Sequence, residues 1–197
     1  MHKLLVISIV VALAACSRPE SEPATPTLTT PAAPLEVPAT SPPAVDDRAA
    51  ARASVLLVAT AGNTANGTLD VIADGNGVRI RGELHGLDVN SEHGFHIHEF
   101  GDCTAEDASS AGGHFNPHGL AHGRPGEGEH HAGDLFNLRS DGSGNASVDA
   151  LASGVGLRSG AADDVIGKAV VVHKKADDYV SQPAGDSGPR IACGVIL

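Results

Sequence analysis

The chain has no tryptophan, one tyrosine, four phenylalanines and one methionine in 197 residues. With so few aromatics, the 41% hydrophobic content, enough for one core, is mostly aliphatic. Basic residues are scarce as well: 13 Lys and Arg against 24 Asp and Glu, a net charge of −11 with His neutral. A body of that sign does not bind nucleic acid through its net field, and it repels small anions at long range. No stretch carries a long 3.6-residue apolar period with caps, which argues against a helical bundle. In place of these features stand 24 glycines, 12 prolines and 11 histidines. Many glycines and few aromatics suit short strands joined by turns.

Only three cysteines are present, and each has its own setting. His2 and Lys3 precede an apolar run from Leu4 to Ala15, too short to span a bilayer and expected to be a secretory signal over 1–15. Leu13-Ala14-Ala15-Cys16 resembles a bacterial lipobox, in which the cysteine is lipidated. Ser17 follows where an aspartate would favour the inner membrane, so outer-membrane attachment is expected. Residues 17–50 hold eight of the twelve prolines. They lack the apolar area that offsets ordering entropy, so 16–50 reads as a lipidated cysteine and a disordered tether. Fully extended at about 3.1 Å per residue, the tether reaches on the order of 100 Å.

From Ala53 onward the pattern is that of strands: 54–59, 68–73, 78–84, 95–98, 146–151 and 169–172, about eight in all. Val78 to Leu84 alternates apolar and polar as a half-buried strand should, and Asp74-Gly75-Asn76-Gly77 is a turn. Short strands with turns between them predict an antiparallel sandwich or barrel over 51–197. Two long irregular segments, 101–131 and 174–189, stand out, and loops of that length are usually functional or disordered.

The first of them contains HFNPHGLAHGRPGEGEHHAGD, from His114 to Asp134, with five histidines among glycines and prolines. Such a segment forms neither helix nor ladder and needs another anchor, for which we take a metal ion. His96 and His98 alternate on a predicted strand and face the same way. Alone, such a pair is more often two surface histidines, but His173 at another strand end weighs against that. His114, His122, His131 and Asp134 match a closed tetrahedral zinc site. His96, His98, His114 and His173 suit copper in a tetragonal arrangement. There are too few histidines for two separate sites, so one must serve both. His114 is the candidate bridge, through its two ring nitrogens.

Five stretches then occur in a familiar order: Gly94-Phe95-His96-Ile97-His98-Glu99-Phe100-Gly101-Asp102, Gly113-His114-Phe115-Asn116-Pro117, His131-Ala132-Gly133-Asp134-Leu135, Val171-Val172-His173-Lys174-Lys175-Ala176-Asp177-Asp178 and Arg190-Ile191-Ala192-Cys193-Gly194-Val195-Ile196. Over 53–197 the chain resembles copper–zinc superoxide dismutase. Cys103 directly follows Gly101-Asp102, as in the bacterial periplasmic or lipoprotein branch. The resemblance implies an all-β, eight-stranded antiparallel Greek-key sandwich or barrel with two long functional loops. It implies one copper per subunit on His96, His98, His114 and His173, and one zinc on His114, His122, His131 and Asp134. It also implies that Asp177 bonds His96 and His122, that Cys103 and Cys193 form a disulfide, and that Arg190 guides the anion beside copper. A disulfide closing a loop of about 90 residues could stabilise by roughly 4–5 kcal/mol.

The activity implied is disproportionation of superoxide to oxygen and hydrogen peroxide, copper cycling between Cu(II) and Cu(I) and His114 carrying a proton. Such an enzyme would protect the cell envelope, exported and lipid-anchored at Cys16 in the periplasm of a Gram-negative bacterium. From residue 51 on, ten Lys and Arg face nineteen Asp and Glu, so steering depends on how charge is distributed, with Lys174 and Lys175 as helpers. Ala184 stands where animal enzymes carry a channel threonine. His93 reads as a hydrogen-bonded structural residue, His118 and His130 as exposed. A metal buffer needing the ligands but not Arg190, and a structural lipoprotein without metals, are the other classes weighed. The sequence leaves monomer and homodimer open.

Overall fold

A computed structural model describes residues 50–197. The expected signal, Cys16 and the tether up to residue 49 lie outside the described residues. Nine strands are present among the described residues: β1 (Arg52–Ala59), β2 (Asn66–Asp74), β3 (Gly77–His85), β4 (Glu92–His93), β5 (Phe95–His98), β6 (Leu138–Arg139), β7 (Ala146–Ser153), β8 (Ala169–His173) and β9 (Arg190–Val195). Helix is confined, among the described residues, to one 3₁₀ turn at Ser109–Ala111. Gly94 alone separates β4 from β5, and read as one run they leave eight strands, as expected. The two-residue pair β4–β6 was not predicted, because two residues display no period.

Seven strands form one curled antiparallel sheet in the order β5-β8-β9-β1-β2-β3-β7, and β4 pairs with β6 apart from it. The β1-β2-β3 meander follows from local signals. Val55 and Leu57 of β1, Leu69 and Val71 of β2 and Val78 and Ile80 of β3 are all buried, while Leu56 and Asp70 between them face out and Arg79 is half-buried. Gly75, at φ 61°, opens the tight turn between β2 and β3, a conformation that glycine adopts without a Cβ clash. β5 and β8 differ: every residue of both is buried. Phe95, Ile97, Val170 and Val172 join the main core. The opposite face, with Ala169, Val171 and Cys193, is covered by loop residues Ala108 and Ala111.

Those loops are fastened to the outer edge of β5 by main-chain bonds. Ile97 N–H donates to Gly133 O, Phe115 N–H to Ile97 O and Gly133 N–H to Phe115 O, at 2.8–2.9 Å. A Cβ on Gly133 would sit 2.2 Å from Ile97 O, so only glycine allows this approach. The result is short pairings of His98 with His114 and of His96 with Asp134. Cys103 and Cys193 are disulfide-bonded, 90 residues apart in sequence, and tie the same loop to β9.

Candidate metal centre

His96 and His98 project from the loop-covered side of β5, as their two-residue spacing predicts. His173 reaches the same place from β8. A register shift between Val172 and His173 sets His173 opposite Arg190, and bulges of this kind re-aim side chains beside sites. The loop pairings on β5 bring in His114 and Asp134. Two groups result, each with one ligand atom per residue and all within 4.8 Å of one another: His96, His98, His114 and His173, and His114, His122, His131 and Asp134. All seven residues are buried, and His114 belongs to both groups.

Hydrogen bonds fix which nitrogen each ring offers. His98 Nδ1–H donates to Gly112 O at 2.9 Å and His173 Nδ1–H to Gly188 O at 3.0 Å. Their Nε2 atoms therefore carry lone pairs, and they face each other at 3.4 Å. Two acceptors cannot satisfy one another, whereas a shared cation satisfies both. His96 Nε2–H and His122 Nε2–H donate to the two oxygens of Asp177, at 2.8 and 3.0 Å, which frees Nδ1 of each ring. A carboxylate in that position sets ring orientation and tautomer on both sides at once. His114 Nδ1 lies 2.7 Å from Asp134 Oδ1. Buried His96 Nδ1, His114 Nε2, His122 Nδ1 and His131 Nδ1 lack a hydrogen-bond partner. Orphaned buried nitrogens are costly unless something bonds them, so the donor set fits a metal in each group.

Electrostatics separate the groups. Burial pulls His173 down to about 3 and His96 to about 4, and puts His98 well below the usual imidazole value. These rings stay neutral, the form in which imidazole binds a metal. Around the other group, burial opposes ionisation of Asp134, but the His114 and His122 rings beside it, at 2.7 and 3.1 Å, hold its carboxyl well below the usual range. Asp177 is likewise held down by His122 and His96 against the opposing effect of burial. These two carboxylates overcome burial at His122 and push it up to about 9. One group is thus four imidazoles, and the other adds a fixed negative charge.

The remaining predicted residues have clear positions. Arg190 projects into a cleft of about 330 Å³ that it shares with His98, His114, His173 and Ala184. Its guanidinium donates to Ala108 O and Gly112 O, the second being the carbonyl that also holds His98. Lys174 and Lys175 pair with Asp88 and Asp186, so carboxylates offset the charge expected to help steering. His93 is buried and donates from Nδ1 to His173 O. His118 is exposed, but His130 is half-buried because its Nδ1–H turns back to His131 O. Asn137 and Gln182, which no sequence motif singles out, bond the main chain of Asp177 and His122. Their partners lie 40 and 60 residues away, beyond any local pattern.

The copper/zinc superoxide dismutase (SODC) family pattern matches residues 65–196. The chain belongs to the copper/zinc superoxide dismutase family. It is 44% identical over 133 residues to superoxide dismutase [Cu-Zn] 2 of Aquifex aeolicus, covering 66% of this chain and 78% of that one. It is 42% identical over 139 residues to the extracellular superoxide dismutase [Cu-Zn] of Caenorhabditis elegans, covering 66% and 60%. Among solved structures, a double mutant of a SOD-like protein from Bacillus subtilis aligns at TM-score 0.67 with 38% identity, covering 73% of this chain and 96% of that chain. Copper and zinc are the metals of the family, and among the described residues the two histidine groups offer donors able to bind them.

Proposed function

We propose that this superoxide dismutase-family chain disproportionates superoxide, two anions and two protons giving oxygen and hydrogen peroxide. His96 Nδ1, His98 Nε2, His114 Nε2 and His173 Nε2 would hold copper; His114 Nδ1, His122 Nδ1, His131 Nδ1 and Asp134 would hold zinc. Bound copper supplies one-electron chemistry, and zinc, which has no redox chemistry, supplies charge and a fixed scaffold. The observation that carries the reading is one buried ring, His114, shared by a four-imidazole group and a group with a carboxylate.

The chain's own residues divide the remaining work. Arg190 offers a fixed cation in the cleft, where a guanidinium attracts and orients a small anion against an acidic body. His114 lines the same cleft, and its Nε2 is the atom able to carry a proton to the dioxygen anion. Asp177 keeps His96 and His122 turned toward their groups. Export, with lipidation at Cys16 and a tether over 17–50, belongs to the same reading and is supported by the apolar run ending in Leu13-Ala14-Ala15-Cys16. An intact mass carrying no lipid would remove that part.

Pulse radiolysis of the copper- and zinc-loaded protein tests the activity. Fast, catalytic loss of superoxide is expected, and a rate no higher than that of metal-free protein would overturn it. Arg190→Ala should keep its copper, turn over about tenfold or more slowly and lose much of its salt dependence. A non-catalytic metal buffer would show no such difference between the variants.

A further inference from the structure

Two side-chain amides cross-link the loops that carry the centre. Asn137, at the end of the histidine-rich loop, donates from Nδ2 to Asp177 O at 2.9 Å and accepts from Asp177 N–H at 2.8 Å. Gln182, in the loop between β8 and β9, accepts from His122 N–H at 2.9 Å and donates to His122 O at 2.8 Å. In a β-ladder two residues hold each other by such an exchange of two bonds. Here a carboxamide takes the part of a strand, in loops that have no strand to pair with.

His122 is consequently fixed at its main-chain N–H by Gln182, at its carbonyl by Gln182, and at ring Nε2 by Asp177. With those three held, Nδ1 has one direction left to point. The two residues after Gln182, Pro183 and Ala184, line the cleft together with Arg190. The amide that orients His122 thus also sets where this part of the cleft wall begins.

We propose that Gln182 is a positioning residue that couples the zinc ligand His122 to the wall of the anion cleft at Pro183–Ala184. It rests on the reading of His122 as a zinc ligand given above. Gln182 acts only through main-chain atoms, and both ends of the carboxamide are needed. A glutamate in its place keeps the acceptor for His122 N–H, loses the donor to His122 O and sets two oxygens face to face. Loss of the whole group frees the loop from the zinc side and loosens the cleft wall together with the metal.

The test uses the full chain loaded with both metals, as wild type, Gln182→Glu, Gln182→Ala and His122→Ala. The rate at which zinc passes to a chelating dye and the affinity for azide, read from the copper absorption band, are measured on each. Zinc release about tenfold faster in Gln182→Ala is expected, a loss typical of removing a partner that orients a metal ligand, with Gln182→Glu in between. Azide should bind more weakly in the same order. Zinc release unchanged in both Gln182 variants overturns the coupling, as does faster release with azide affinity unchanged, since a purely structural contribution would move the first and leave the second. His122→Ala retaining zinc at the wild-type rate defeats the ligand assignment itself. His122→Ala losing zinc while the Gln182 variants behave as wild type defeats the coupling alone.

Discussion

The curled sheet has two unlike regions. In β1, β2, β3 and β7 buried and exposed residues largely alternate, one face on the core and one on water. In β5 and β8, and over most of β9, both faces are covered. Both are antiparallel ladders, the covered one with a register shift between Val172 and His173, so the difference in burial lies in what the connections do. In the first region β1, β2 and β3 are joined by short connections, whereas the two long loops fold back over the second. Covering the second face excludes water, and exclusion of water keeps three imidazoles neutral, while the histidines beside Asp134 and Asp177 keep these two carboxylates ionised against burial. Both regions fill the main core, and only the covered region also carries the site.

Substitutions can break that division of labour or sharpen it. The largest effect is expected at His114, shared by both groups. His114→Ala should abolish dismutation and weaken zinc by more than about 100-fold, beyond the loss of an orienting partner. Far-UV circular dichroism should still report the sheet; a variant that keeps both metals and its activity would erase the contrast. Next comes Leu69, fully buried on β2 in the plain region. Leu69→Ala should cost about 2–5 kcal/mol of stability in denaturant melts. Activity per folded, metal-loaded molecule should not change, and an equal fall in both quantities would mean that the regions are not separable. The smallest effect is expected at Arg79, which pairs with Asp74 and Asp149 on the exposed face. Arg79→Ala should move Tm by no more than about 2 °C and leave metal content alone. A large fall would show that the wet face does more than solvate the sheet.

Much of this was legible from the residues in order. Period-two alternation is local stereochemistry, so β1 to β3 and the shared direction of His96 and His98 follow from a few neighbouring positions. The crowding of histidines in a segment unable to form a ladder points to metal for the same reason. Residue types narrowed the candidates further, since three imidazoles with a carboxylate and four imidazoles suit different ions.

Other features depend on chain segments far apart, and no local pattern encodes them. The register shift that sets His173 opposite Arg190 exists only once β8 and β9 pair. Gly112 O joins Arg190 to His98 only after the loop has folded back beneath the disulfide. Asn137 and Gln182 find their partners 40 and 60 residues away, and an amide in a loop looks the same in sequence whether it faces water or a ligand's main chain. The sequence by itself determined which groups were available and which face of each strand they occupy, because those depend on bond geometry over a few residues. Only tertiary structure decided which nitrogen of each ring is free and which loop holds which ligand, because those depend on contacts that form when the long loops close.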